Sequence, residues 1–178
     1  MKYAESLVGT KYNWYRGDIS DFTKEDKFYA INGPPPPRIK TLVCAGLTNL
    51  MRRYMGLPIP GTNAAPIKGK YASAINNIYP GGTGSYFYYF KKQKLSNKCI
   101  LPVGTLLLAN YKDDENDQGH VAVVYKSSDN LKTHLIIHAI FPYTTIEPFI
   151  VANKKLCEST HTKSLYFTHF VLPENWIL

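Results

Sequence analysis

The sequence predicts a single α+β domain in which one amphipathic helix packs against an antiparallel β-sheet. The apolar residues between positions 44 and 55 recur at intervals of three and four, which is the helical period. Two β-branched runs follow, near positions 120 and 135, with a turn signal between them. The chain has 178 residues, 44% of them apolar, which is enough for one hydrophobic core. We therefore predict one domain over residues 1–178, with long insertions at about 16–40 and 61–98.

The helix is predicted from about Cys44 to about Tyr54. Its apolar face carries Leu47, Leu50 and Met51, and Gly56 followed by prolines at 58 and 60 supplies a stop. This places the Cys44 thiol in the first turn, where the positive end of the helix dipole favours an anion. The same N–H groups suit a developing oxyanion.

Each of the two predicted strands carries a histidine. His120 opens the run 119–125, and His138 lies in the run 135–140, with the turn signal 127–130 between them. Neighbouring antiparallel strands would bring both imidazoles together, so that His138 orients His120 and selects its tautomer. The thiolate is the attacking form of cysteine, and a thiol with the solution pKa of about 8.5 is mostly protonated at neutral pH. A helix N-terminus or a neighbouring imidazolium lowers that pKa and so raises the fraction of thiolate. The pattern predicts a nucleophile, a base and an orienting residue.

These residues lie within a longer pattern that resembles the NlpC/P60 cysteine peptidases. A short helix over 4–8 and the run 9–14 (Gly-Thr-Lys-Tyr-Asn-Trp) resemble the family's opening motif, and 43–47 (Val-Cys-Ala-Gly-Leu) resemble its nucleophile motif. Later segments follow in the family's order: Gly56-Leu57-Pro58, 103–107, 120–124 and 137–139. The resemblance implies a papain-like fold with Cys44 as nucleophile, His120 as general base, His138 as third member and Tyr12 as a hydroxyl near the oxyanion. We predict no cofactor and no metal.

The chain departs from the family at several positions. Val43 and Thr105 stand where aspartates are usual, residues 15–17 replace the second glycine of the opening motif, and the insertion with the proline run 34–37 is longer than the usual spacer. These changes bear on the substrate more than on the thiol chemistry. The resemblance implies cleavage of a peptide amide in bacterial cell walls. An acyl-lipid hydrolase or acyltransferase using the same thiol, and a binding protein without turnover, remain alternatives.

The remaining segments do not indicate a second functional site. The acidic loop 113–117 lacks the glycine and closing glutamate of a calcium loop, and Cys157 with His161 lacks a second ligand pair, so no metal is expected. Residues 81–85 are predicted as a flexible turn before the aromatic run 86–90, and 164–172 as a strand. We expect the two insertions to line the substrate groove.

Charge and targeting signals limit the partners. The net charge of +8, with basic clusters at 52–53, 68–70 and 91–94, suits anionic surfaces such as cell-wall polymers or lipid headgroups. No specific nucleic-acid binding is predicted, and the oligomeric state stays open. The sequence predicts neither a signal peptide nor a membrane span, so we expect a cytoplasmic protein or one delivered by a packaging or lysis route. The three scattered cysteines fit a reducing compartment.

Overall fold

The computed structural model describes residues 1–12, 32–68, 80–110, 119–159 and 165–178. Asn13 and Trp14 of the opening motif, most of the first predicted insertion, part of the second and the acidic loop lie outside these described residues. Across the described ranges, no helix has both the length and the apolar character needed to cross a bilayer.

Four helices and eight strands form the described fold. The helices are α1 (Lys2–Glu5), α2 (Cys44–Tyr54), α3 (Thr83–Tyr89) and α4 (Phe149–Ser159). The strands are β1 (Lys11–Tyr12), β2 (Thr41–Leu42), β3 (Gln93–Lys94), β4 (Leu106–Asn110), β5 (Gly119–Lys126), β6 (Leu135–Ile140), β7 (Tyr143–Pro148) and β8 (His169–Val171). Short 3-10 helices cover Leu131–Thr133 and Pro173–Asn175.

The strands join in one sheet with the order β2-β1-β7-β6-β5-β4-β8-β3. The predicted α+β class is confirmed at this level, but the sheet is not wholly antiparallel, because β1 and β2 pair in parallel, with Tyr12 opposite Leu42. The other neighbours pair antiparallel. The central strands β4 to β7 lie side by side in the order in which they occur along the chain, and β5 and β6 hold the predicted histidines.

Side-chain alternation divides the sheet into two faces, and each face is covered by a different helix. Val121 and Val123 of β5 belong to a first core that includes the apolar side of α2. Ala122 and Val124 belong to a second core with Phe149 and other residues of α4. Because both faces are buried, β5 is apolar at successive positions instead of alternating with polar residues.

The predicted nucleophile helix is confirmed with the predicted bounds, Cys44–Tyr54. Gly56 follows it with a φ of +72°, a left-handed conformation that favours glycine and ends the helix. The predicted strands near 120 and 135 are confirmed as β5 and β6. The short N-terminal helix covers Lys2–Glu5 instead of 4–8.

Two local predictions were wrong. Residues 81–85 are not a turn throughout, because α3 begins at Thr83 and buries Tyr86 completely in the first core. The strand expected over 164–172 is limited to His169–Val171. Before it, Leu165 and Phe167 pack into the second core, and the Phe167 N–H donates to the Asn153 side chain instead of a neighbouring strand. Ser164 lies outside the described residues.

Contacts at the far end of α2 show how this helix runs across the sheet. The Arg52 guanidinium donates to the Trp176 carbonyl, and the Trp176 indole N–H donates to the Gly104 carbonyl at 2.8 Å. The Gly104 N–H in turn donates to the carbonyl of Val124, near the Lys126 end of β5. The C-terminal end of α2 is therefore tied to the Val124 end of β5. The Cys44 end is directed toward the end where β5 begins.

Candidate active site

The structure brings His120 and His138 into direct contact. The Nε2 atom of His120 lies 2.9 Å from the Nδ1 atom of His138, within hydrogen-bond distance. The two residues are on neighbouring strands, and β5 and β6 pair with Val123 opposite Ile137. In that register His120 and His138 are diagonal neighbours on one face of the sheet. The sequence-based expectation that these two imidazoles meet is therefore confirmed.

A carboxylate and an ammonium group extend this contact. The Nε2 atom of His138 lies 2.8 Å from the Oε1 atom of Glu147 on β7. Lys155 of α4 donates to the other carboxylate oxygen of Glu147. We call His120, His138 and Glu147 the imidazole–carboxylate relay, with Lys155 as its outer neighbour. Hydrogen bonds to both oxygens fix the carboxylate, and the carboxylate fixes the His138 ring.

The relay is buried, and burial controls its charge. His138 is fully buried and His120 is 4% exposed. Burial, together with the neighbouring His138 ring, holds the pKa of His120 well below its ordinary value. Burial also lowers the pKa of His138, although Glu147 opposes that shift. Both rings are therefore neutral near pH 7, so His120 suits the role of a general base better than that of a resting imidazolium.

Glu147 stays ionised in this setting. Burial alone would raise the pKa of its carboxyl group, but the hydrogen bonds from His138 and Lys155 outweigh that effect and the pKa is lowered. The relay thus joins two neutral imidazoles to a carboxylate whose charge is balanced by Lys155.

Two histidines and a glutamate are also a common set of metal ligands, but their geometry here is different. The ring nitrogens that face each other are 2.9 Å apart and share one hydrogen bond. The second nitrogen of His138 is directed at Glu147. These contacts use the lone pairs that a metal would need. Among the described residues, no group of three or more His, Cys, Asp or Glu side chains is arranged to hold a metal ion.

Cys44 is the first residue of α2, as the sequence predicts. Val43 occupies the N-cap position in an extended conformation and makes no side-chain capping bond, and no acidic residue lies in the first turn. The two arginines of the last turn add to the favourable dipole arrangement. The valine that replaces the family's aspartate therefore leaves the positive helix end without a carboxylate of its own.

The thiol and the imidazoles belong to different layers of the molecule. Cys44 is 8% exposed and lies in the first core, which also holds Tyr12. Alternation along β5 and β6 assigns His120 and His138 to the α4 side, where the His120 ring lies 5.9 Å from that of Phe167. Both Cys44 and His120 are nevertheless directed to the same end of the sheet, since α2 begins at that end and His120 is the second residue of β5.

Glu147 and Lys155 were not predicted as site residues. A signal for Glu147 was present: within β7, residues 143–148, it is the acidic residue of an otherwise uncharged strand. An acidic side chain at a sheet position that pairs with Ile136 needs a buried partner. Its partner His138 could be identified only once the register between β6 and β7 was known. Lys155 gives no such signal, because α4 carries two adjacent lysines.

A shallow surface pocket lies beside the relay. Its volume is about 240 Å³, and its lining includes Val8, Phe141, Tyr143, Thr145 and Lys155. Thr145 pairs with His138 across the β6–β7 ladder, and Lys155 is the outer neighbour of the relay. Phe141 and Tyr143 expose more than half of their surface there. The pocket therefore offers apolar and aromatic surface next to the buried polar residues.

Comparison of the chain with protein-family models and with curated proteins gave no match.

Proposed function

We propose that this protein is a cysteine hydrolase of the NlpC/P60 type, with a papain-like fold, in which Cys44 is the nucleophile and His120 the general base. The observation that carries the proposal is the buried relay of His120, His138 and Glu147 at the end of the sheet toward which α2 directs Cys44. A helix N-terminus and a supported imidazole are the two aids that a catalytic thiol requires.

The reaction requires the thiol and the base to meet around the end of the sheet. The sulfur of Cys44 would have to reach Nδ1 of His120, since Nε2 of that ring is bonded to His138. Catalytic hydrogen bonds are often long in a protein without substrate and shorten when substrate binds. His120 is the second residue of β5, so the proposal requires the approach to take place at that end of the sheet.

In the acylation step, the Cys44 thiol gives its proton to Nδ1 of His120, and the sulfur attacks the carbonyl carbon of the amide. Negative charge then develops on the carbonyl oxygen. N–H groups of the first turn of α2 would stabilise it, with the hydroxyl of Tyr12 as an additional donor. His120 returns its proton to the leaving nitrogen, the C–N bond breaks, and a thioester to Cys44 remains.

In the deacylation step, His120 takes a proton from a water molecule, and the resulting hydroxide adds to the thioester carbonyl. The C–S bond breaks, the carboxylic acid leaves, and the proton on His120 returns to the sulfur. The enzyme is then regenerated. A neutral base is needed at the start of both steps, which fits the low pKa of His120 that burial produces.

The substrate that we propose is a peptide amide of a cell-wall polymer. This part rests on the resemblance of residues 4–139 to the NlpC/P60 pattern. The net charge of +8 supports it, since anionic wall polymers attract a basic protein at long range. Digestion of purified peptidoglycan tests the proposal: wild type should release new amine termini, detected by mass spectrometry, and Cys44→Ala should release none.

A second candidate is an acyl-lipid hydrolase or acyltransferase on the same thiol. The pocket of about 240 Å³ beside the relay favours it, because exposed Phe141 and Tyr143 offer an apolar surface to an acyl chain. A short-chain acyl thioester or ester assay separates the two candidates. Release of the acyl group by wild type, without any cleavage of peptidoglycan, would favour the lipid substrate. Inactivity on both, with slow alkylation of Cys44, would favour a binding protein without turnover.

A further inference from the structure

We propose that Glu147, held by Lys155, is the positioning residue that sets the tautomer of both histidines and so presents a lone pair on Nδ1 of His120. This inference rests on the proposed function for its purpose, but not for its test. It follows from the order of hydrogen bonds in the relay, from the carboxylate outward.

The direction of each proton begins at Glu147. An ionised carboxylate has no hydrogen to donate, so the 2.8 Å contact requires His138 to donate from Nε2. A neutral imidazole carries one N–H, and therefore Nδ1 of His138 is the acceptor atom. The 2.9 Å contact between the rings then requires His120 to donate from its own Nε2. The remaining nitrogen of His120, Nδ1, is left with its lone pair.

The charges around the relay support this order. Lys155 donates to the second oxygen of Glu147, which keeps that carboxylate ionised. The side chain of Lys155 is about half-exposed, whereas that of Glu147 is 10% exposed. Lys155 therefore neutralises the carboxylate from the solvent side. The imidazoles face the carboxylate from the buried side.

The opposite order would need a different group at position 147. If Nδ1 of His138 carried the proton, Nε2 of that ring would face the carboxylate with two lone pairs in contact and no hydrogen between them. A glutamine has both an acceptor and a donor on its side-chain amide, so it accepts either order. Glu147→Gln therefore keeps the shape of the side chain but no longer requires His138 to donate from Nε2.

Nuclear magnetic resonance with ¹⁵N-labelled histidine tests the inference directly, because long-range ¹H–¹⁵N correlations identify which ring nitrogen carries the proton. In wild type at pH 7.5, both rings should be protonated on Nε2. A charged acceptor is about twice as strong as a neutral one, so Glu147→Gln should lower the ratio of the Nε2-protonated to the Nδ1-protonated form by about tenfold or more. Glu158→Gln, in an exposed ion pair with Lys154, is the matched control and should leave both rings unchanged.

Each outcome has a distinct meaning. A proton on Nδ1 of His120 in wild type overturns the inference, even if Glu147→Gln fails to fold. Unchanged tautomers in folded Glu147→Gln also overturn it, since the carboxylate would not be their cause. Lys155→Met should retain the wild-type tautomers at pH 7.5, and a loss of them would transfer the role to Lys155. The spectra do not depend on catalysis, so the predicted tautomers in a wild-type protein that cleaves neither peptidoglycan nor an acyl substrate would refute the proposed function alone.

Discussion

The rings of His120 and His138 stand nearly perpendicular, with an interplanar angle of 86° and centroids 5.1 Å apart. This edge-to-face arrangement directs a ring nitrogen of His120 at a ring nitrogen of His138, so the contact is a hydrogen bond and not a stack of two rings. The position of His120 thus depends on His138 as well as on its own strand. Substitution of either residue should therefore affect the other, which distinguishes this pair from a histidine such as His169.

The first prediction concerns the reactivity of Cys44. His120→Ala should slow alkylation of Cys44 by iodoacetamide at pH 7.5 and lower hydrolysis about 100- to 10,000-fold, because the thiol loses its proton acceptor. Peptide mapping by mass spectrometry follows Cys44 separately from Cys99 and Cys157, which are half-buried internal references. His169→Ala, on β8, is the control variant. Equal alkylation rates in wild type and His120→Ala would contradict the assigned pair.

A second prediction follows from the low pKa values of both histidines. The unfolded chain binds protons at His120 and His138 below about pH 6.5, while the folded state keeps both rings neutral. The free energy of unfolding should therefore fall as the pH is lowered from 7 to 5. The slope is at most about 1.4 kcal/mol per pH unit for each histidine.

Urea denaturation between pH 5 and pH 7.5 measures this slope. His120→Asn should flatten it, because one of the two protonation sites is gone. Glu147 adds a separate loss at lower pH: its pKa is lowered in the fold, so its contribution disappears as the pH falls through the folded value. Stability that rises on acidification from pH 7 to pH 5 would be incompatible with neutral buried rings.

A third prediction concerns Gly119, the residue before His120. A Cβ atom built on Gly119 would lie 2.4 Å from the backbone carbonyl oxygen of Ala109 on the neighbouring strand. Gly119→Ala should therefore push β4 and β5 apart at the end of the sheet and displace the His120 ring. We expect loss of activity together with a lower melting temperature, measured by calorimetry. A variant with wild-type activity would show that the start of β5 does not position the base.

A fourth prediction concerns Trp176, which ties α2 to the sheet. Its side chain is 2% exposed and its indole N–H bonds to Gly104, while its carbonyl accepts from Arg52. Trp176→Ala should lower the free energy of unfolding by about 3–5 kcal/mol, the usual cost of removing a buried aromatic side chain. Leu178→Ala, at an exposed position, should change it by less than about 0.5 kcal/mol. Equal free energies of unfolding for the two variants, measured in urea, would contradict the burial of Trp176 in the core.

The helix α2 and the strands β5 and β6 could be predicted from the sequence because the patterns that indicate them are local. The apolar period of α2 and its stop at Gly56 gave the helix with its bounds, and the β-branched runs gave β5 and β6. The meeting of His120 with His138 needed only the assumption that consecutive strands pair. Glu147 could not be assigned in this way, because its partner depends on the register between β6 and β7.

Properties that depend on long-range packing were predicted less well. The parallel pairing of β1 with β2 joins residues that are 30 positions apart, and no local sequence pattern predicts it. The face of the sheet on which each group lies was also not foreseen. Cys44 and His120 both follow from local motifs, but their assignment to the first core and to the α4 side requires knowledge of which helix covers which face.

The pairing of β1 with β2 has a consequence for how this chain tolerates changes of length. Tyr12 and Leu42 are neighbours in the sheet, so the two ends of the polypeptide between them are close together. For a loop with its ends held together, each doubling of length costs only about 0.6 kcal/mol of closure entropy. A change in the number of residues between these two ends is therefore expected to cost little free energy, so evolution can vary the length of this part of the chain while the pairing of β1 with β2 is retained.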